Sequence, residues 1–334
     1  MKNKLLIGTV ALCLAGAWAG WQWSHRGTRV GGIPNPAGAE VQPPEPQSPV
    51  TTGRTAPPAR SPAVEKAADS VSPVVRDYLD SAVSDPARHA VSRSLPEKPT
   101  PADLKALSEF LCREQALDET EFGQGVKNEI LDHLCELNPE GLRAMLGGMI
   151  EDRALNPVIR DYALQHLMEH WQRLAGSGPD EMSRREREEG IRAMWTAAEE
   201  TGNSLAGTAL LGLSRLSELE AGIDRGQVAA AALRLAADPT TGEAARIAAF
   251  QVCGRLQAAG VLPAAWEAAR SNGSLPLRIS AIGTLGLLAG TDAGPFLRAV
   301  EGGEESALKP AATRALREIA RREAQRAQAS RGGQ

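Results

Sequence analysis

From about residue 74 onward, apolar residues recur at spacings of three and four, segment after segment, with short polar breaks between. That period places them on one face of a helix, and no stretch shows the two-residue alternation of a half-buried strand. The pattern predicts helices near 102–115, 124–137, 139–151, 157–174, 184–200, 204–219, 225–237, 241–258, 263–271, 275–289, 294–301 and 306–327. Start signals agree with it. Thr100-Pro101 offers an N-cap with proline in the first turn, and Ser183-x-x-Glu186 and Thr240-x-x-Glu243 read as capping boxes. Gly176, Gly202, Gly260, Gly273 and Gly290 follow the periodic segments as stop signals. Helices joined by connections this short pack as antiparallel hairpins.

Every second helix carries one shared pattern. Arg160-Asp-Tyr-Ala163-Leu164, Arg246-Ile-Ala-Ala249-Phe250 and Arg278-Ile-Ser-Ala281-Ile282 are its strongest copies. Ala312-Thr-Arg-Ala315-Leu316, Ala206-Gly-Thr-Ala209-Leu210 and Lys127-Asn-Glu-Ile130-Leu131 are weaker ones. Their first positions lie about 32 to 46 residues apart, the period of a helical-repeat unit. A small residue on the inner helix lets its neighbours approach, and the large apolar residue on the next turn fills the gap. One hairpin cannot bury its face alone, so adjacent units must stack.

The signature resembles that of HEAT and HEAT-like repeats, over roughly residues 100–325. Pro157, Glu243 and Pro276 stand where that family places a residue ahead of its arginine. The resemblance implies an all-α fold, a HEAT-like α-solenoid of stacked antiparallel helix pairs. It departs from the family where Lys127, Ala206 and Ala312 replace the arginine, and in its uneven spacing.

The amino-terminal fifth is different. Met1-Lys2-Asn3-Lys4 precedes an uncharged run from Leu5 to Trp23, long enough to cross a bilayer and also readable as a signal peptide with Ala17-Trp18-Ala19 as its cleavage site. Residues 25–73 hold ten of the 22 prolines and hardly any large apolar side chain, the composition of an extended, disordered tether. The expected organisation is therefore an anchor or signal over 1–24, a tether over 25–73, a helical repeat domain over 74–327 and a short tail over 328–334. This places the repeat domain outside the cytoplasm, membrane-anchored through residues 5–23, or secreted if the segment is cleaved.

Composition narrows the field. Aromatics make up 4 % of the chain and the net charge is -4 at pI 5.9, so neither base stacking nor phosphate neutralisation is favoured and no nucleic-acid partner is expected. Four cysteines are too few for a disulfide-built scaffold. Cys112 and Cys135 fall on neighbouring helices at mismatched heights, which favours buried thiols over a bridge. Trp171, Trp195 and Trp266 lie on apolar stripes and read as core. Arg314, Arg317, Arg321, Arg322 and Arg326 read as a polar cap on the final helix.

One motif carries candidate chemistry. His166-Leu-Met-Glu169-His170 puts two imidazoles one turn apart with a carboxylate between, a pairing that can hold zinc and supply a base. On the helix wheel both histidines lie on the rim of the buried stripe, a usual place for amphipathic side chains, and read as solvated or hydrogen-bonded. No phosphate loop, dinucleotide fingerprint or nucleophile elbow accompanies the motif, so no cofactor and no catalytic residue is assigned. The chain reads as a non-enzymatic repeat scaffold for protein partners in a cell envelope. A zinc hydrolase built on His166, Glu169 and His170, or a passive spacer, is the alternative.

Overall fold

Thr100 shows how local sequence starts a helix here. Its hydroxyl accepts the Asp103 N–H at 3.1 Å, while the Asp103 carboxylate accepts the Thr100 N–H at 3.0 Å, so two otherwise orphaned donors are satisfied. Asp103 also accepts the N–H of Ser72 at 2.7 Å and so ties helix α1 (Pro73–Leu79) to α2 (Pro101–Cys112). Burial alone would raise this carboxyl, but the backbone donors of Ser72 and Thr100 outweigh it and hold it below its ordinary value.

The computed structural model describes residues 70–80, 95–113, 120–175, 184–219 and 222–332. Every regular element among them is helical. After α2 come α3 (Glu121–Leu137), α4 (Leu142–Glu151), α5 (Pro157–Ala175), α6 (Arg184–Ala198) and α7 (Leu205–Leu216). Then follow α8 (Arg225–Ala237), α9 (Glu243–Leu256), α10 (Leu262–Arg270), α11 (Leu275–Leu288), α12 (Gly294–Gly302) and α13 (Lys309–Gly332). The described residues all belong to one compact unit, 61–334. The expected anchor over 1–24 and nearly all of the 25–73 tether lie outside them.

The helices pair in sequence: α4 with α5, α6 with α7, α8 with α9, α10 with α11 and α12 with α13. The second helix of each pair also packs on the second helix of the next, in the succession α3, α5, α7, α9, α11, α13. That succession buries Ala163, Ala209, Ala249 and Ala281 completely, the small residues of the shared pattern.

The cation that opens the pattern has a common task. Arg160 donates to the carbonyl of Ile150 through Nε at 2.9 Å and Nη2 at 2.6 Å. Arg246 reaches the carbonyl of Ala236 at 3.5 Å. Lys127, fully buried, donates to the carbonyls of Leu111 and Arg113 at 3.3 and 2.8 Å. In each case the acceptors lie at the end of the preceding helix, where carbonyls lack partners and the helix dipole favours positive charge. Lysine at 127 is thus a chemical equivalent of the arginine and not a break in the pattern. Arg278 turns instead to Glu305, at 2.6 Å.

Other differences have local causes. Helix α9 starts at Gly242 as cap, because the Thr240 hydroxyl donates to Asp238 at 2.7 Å instead of capping. Helices α3 and α9 end on left-handed Asn138 and Gln257, so two of the stops are not glycines. Cys112 is exposed, against expectation, while Cys135 and Cys253 are buried, and burial pushes the Cys253 thiol up to about 12. Arg321 and Arg322 both bind Glu318 and hold its carboxyl down to about 2. Arg322 donates as well to the carbonyl of Leu287 near the end of α11, so this arginine closes a helix end and is not simply part of a solvated cap.

Candidate functional site

The His166-Glu169-His170 motif lies on α5, but the structure does not gather it into a metal centre. His166 turns toward α3, with Nε2 3.0 Å from Asn128 Oδ1 and Nδ1 3.7 Å from Asp132. His170 turns toward α4, with Nε2 3.4 Å from Arg143 Nη1. Glu169 is exposed. Among the described residues no group of three or more His, Cys, Asp or Glu side chains could hold a metal ion. Of the two readings, solvated or hydrogen-bonded, the histidines are hydrogen-bonded and buried, because α3 and α4 cover both flanks of α5 and bring rim positions inside. Trp171 is core as expected, while Trp195 and Trp266 are only half-buried.

The same helix carries a buried acid that sequence reasoning passed over. Asp161 faces α7, where the Ser204 hydroxyl donates to Oδ2 at 2.7 Å, and Oδ1 has no partner. Burial pushes its carboxyl above the ordinary range, and bonds from Thr208 and Ser204 offset this only in part. A raised folded-state value means that the folded chain holds this proton more tightly. The charge therefore lowers stability above the folded value, and the deficit vanishes as pH falls to the ordinary carboxylate range. Asp161→Asn is expected to raise stability at pH 7 by about 1 kcal/mol and to lose that advantage near pH 4, as read by urea unfolding at both pH values. A destabilised variant at pH 7 would show that the ionised carboxylate is an asset to the fold.

A concavity lies between α4 and α6, with α5 behind them. Its volume is about 270 Å³. Leu167, His170 and Trp171 of α5, all buried, form its floor. Gly147 and Gly148 of α4 and Gly190 of α6 line it. The Gly190 position is filled by a neighbour: a Cβ there would come 2.5 Å from the Trp171 ring. The α4 pair is different. A Cβ on Gly147 or Gly148 would meet nothing within 4 Å, and neither residue has a positive φ. Two glycines in a helix interior cost about 1 kcal/mol each relative to alanine, and nothing in the chain's own packing requires them.

Charge around the cavity is mostly internally balanced. Arg143 donates to Glu186 Oε1 through Nε at 3.0 Å and Nη2 at 2.7 Å, which bridges α4 to α6. With Nη1 of Arg143 as donor, Nε2 of His170 serves as acceptor in its neutral tautomer. Glu189 takes a bond from Arg185 one turn away, at 2.8 Å. Glu151 and Arg192, both exposed at the edge, form no ion pair among the described residues. Of the cavity residues, the sequence singled out His170 as a zinc candidate, Trp171 as core and Glu186 as a capping residue, but did not bring them together. The available signal was Gly147-Gly148 inside an otherwise periodic helix.

No family model matches the chain, and no curated protein matches it. Among solved structures, human deoxyhypusine hydroxylase in complex with glycerol is similar. The match covers 78 % of this chain and 98 % of that one, at 15 % identity and a TM-score of 0.34.

These findings correct the functional expectation. The neighbour is by its title an enzyme, and no comparison backs a non-enzymatic scaffold. No described helix is long and apolar enough to cross a membrane, and residues 5–23, on which the anchored or exported reading rests, lie outside the described residues. The zinc-hydrolase alternative loses its centre because the two histidines face different neighbours.

Proposed function

We propose that the chain is a binding module for a small organic ligand, held in the cavity between α4 and α6. The observation that carries the reading is the glycine pair at 147–148: it weakens α4, is demanded by no packing or backbone strain, and leaves open the space that a ligand would occupy. An apolar floor with a few fixed polar groups is the usual make-up of such a site. The described residues of the cavity lining include no Ser, Thr, Cys or Lys nucleophile, in keeping with binding without covalent chemistry.

HEAT-like stacking belongs to the same reading. The succession of second helices and the repeated cation on the preceding helix end support it, and α4 and α6 would then be first helices of adjacent repeats.

A ligand-observed NMR screen of small organic fragments against the full chain tests the proposal, with Gly148→Leu as the filled-cavity control. The expected result is a set of fragments that bind the natural chain and are lost from the variant, whose melting temperature is unchanged or higher. Absence of hits, or hits that bind both proteins equally, would overturn it.

A further inference from the structure

The shared pattern also fixes a row of side chains on the solvent side of the second helices. Nine positions after the residue that opens each copy stand Glu136, Glu169, Arg215, Arg255, Leu287 and Arg321, one each on α3, α5, α7, α9, α11 and α13. That offset is about two and a half turns, so the row lies across each helix from the opening position. Glu136, Glu169, Arg255 and Arg321 are exposed, while Arg215 and Leu287 are half-buried. Side-chain interactions tie the row together. Burial and the positive charge of Arg255 pull the Arg215 guanidinium below its ordinary value, and Glu169 pushes it back, so α5, α7 and α9 meet along the row. Arg322, next to Arg321, donates to the carbonyl of Leu287 and to Gln257 Oε1 at 3.1 Å, which joins α13 to α11 and to the end of α9.

The order of the row is acid, acid, base, base, apolar, base. Two of its features are unfavourable in the chain alone. Arg215 and Arg255 are like charges held side by side, and Arg255 takes no hydrogen bond or ion pair among the described residues. On α11, Leu275, Ile279 and Leu287 lie on one ridge of four-residue steps, and the first two are 41 % and 38 % exposed. We infer that the row takes an extended peptide segment of a partner protein, with side chains in the complementary order: basic at α5, acidic at α7 and α9, apolar at α11 and acidic at α13. The spacing suits a polyproline-II segment. Packed helices lie about 8–10 Å apart, and a polyproline-II chain returns every third side chain to one face after about 9 Å. A nucleic-acid backbone, anionic throughout, would be repelled at Glu136 and Glu169 and would leave the α11 ridge uncovered. No residue of the row lines the cavity between α4 and α6, so the inference stands apart from the ligand-binding reading.

The test measures fluorescence anisotropy of a labelled peptide, Lys-Pro-Pro-Glu-Pro-Pro-Glu-Pro-Pro-Leu-Pro-Pro-Glu, with the full chain at low salt. Two altered peptides accompany it, one with the lysine replaced by glutamate and one with the second glutamate replaced by lysine. Each exposed contact is screened and contributes about a threefold change in affinity, so reversing one charge should weaken binding about tenfold. Arg255→Glu is expected to reverse the preference at the second glutamate and leave that at the lysine unchanged. Glu169→Lys should do the converse. Both side chains are exposed, so both variants keep the melting temperature of the natural chain within a few degrees. No binding of the parent peptide would overturn the inference, and so would affinities that follow total charge with no rescue specific to one pair. Tighter binding of duplex DNA that is lost in Arg255→Glu would assign the row to nucleic acid instead. Self-association of the natural chain that is lost in the same variant would assign it to a second copy, and either result overturns the peptide.

Discussion

Replacing Arg160 with methionine is expected to cost 3–5 kcal/mol, about the loss seen when one member of a buried charge pair is removed. The side chain is 3 % exposed and all three of its nitrogens are engaged. Nε and Nη2 bond the Ile150 carbonyl at the end of α4, while Nη1 and Nη2 grip the two Glu200 oxygens at 2.8 and 2.6 Å just beyond α6. One guanidinium therefore closes its own pair of helices and joins them to the next. Methionine fills much of the volume but leaves the carbonyl without its donor and the Glu200 carboxylate with only Arg153, 3.6 Å away, and Asn203. Against a domain stability of about 5–15 kcal/mol, the loss is a large fraction. Arg160→Lys should recover part of it, since Lys127 performs the carbonyl task in α3 with an ammonium. It cannot recover all, because a point charge does not reproduce the two-oxygen fork.

The pH dependence adds a second check. The Arg160 bonds outweigh burial and hold the Glu200 carboxyl below its ordinary value. A depressed folded value contributes stability that is present above the ordinary glutamate range and is lost as pH falls through the folded value. The gap between the natural chain and Arg160→Met should accordingly narrow under acid, as read by urea unfolding at pH 7 and pH 3. A loss below 1 kcal/mol at pH 7 would mean that the bridge is ornamental.

Arg160 also shows which parts of the molecule were legible in advance. Its recurrence with Ala163, and the same register at 246 and 278, is a local pattern, and helix periodicity needs no knowledge of distant neighbours. The helical class and most helix positions follow from that. Helix α1 was missed because seven residues carry too little periodicity to register. For His166 and His170 the helix wheel leaves solvated and hydrogen-bonded positions undistinguished because it shows one helix, and their burial depends on how α3 and α4 flank α5. The cavity was hidden for the same reason. Gly147-Gly148 is visible as a local conflict with helix propensity, but only the side-by-side packing of α4 and α6 turns that conflict into a space with walls and charged edges.

Two glycines on one helix should respond with opposite sign. On α11, a Cβ added to Gly286 would stand 2.6 Å from the Cβ of Ala315 and 2.8 Å from its Cα, so α13 itself would have to move. Three residues earlier, a Cβ on Gly283 would meet nothing within 4 Å. Gly286→Val is expected to cost about 3 kcal/mol, the upper end for overpacking a close-packed core, because the obstacle is backbone and not the end of a flexible side chain. Gly283→Ala is expected to gain up to about 1 kcal/mol, since alanine relieves the backbone entropy that glycine loses in a helix. Both are read by urea unfolding against the natural chain. The sites share a helix and a chemistry of change, so a common effect on helix formation would move them together. Only the approach of α13 to Gly286 separates them. If Gly286→Val were as stable as the natural chain, the contact between α11 and α13 would be looser than the 2.6 Å geometry demands.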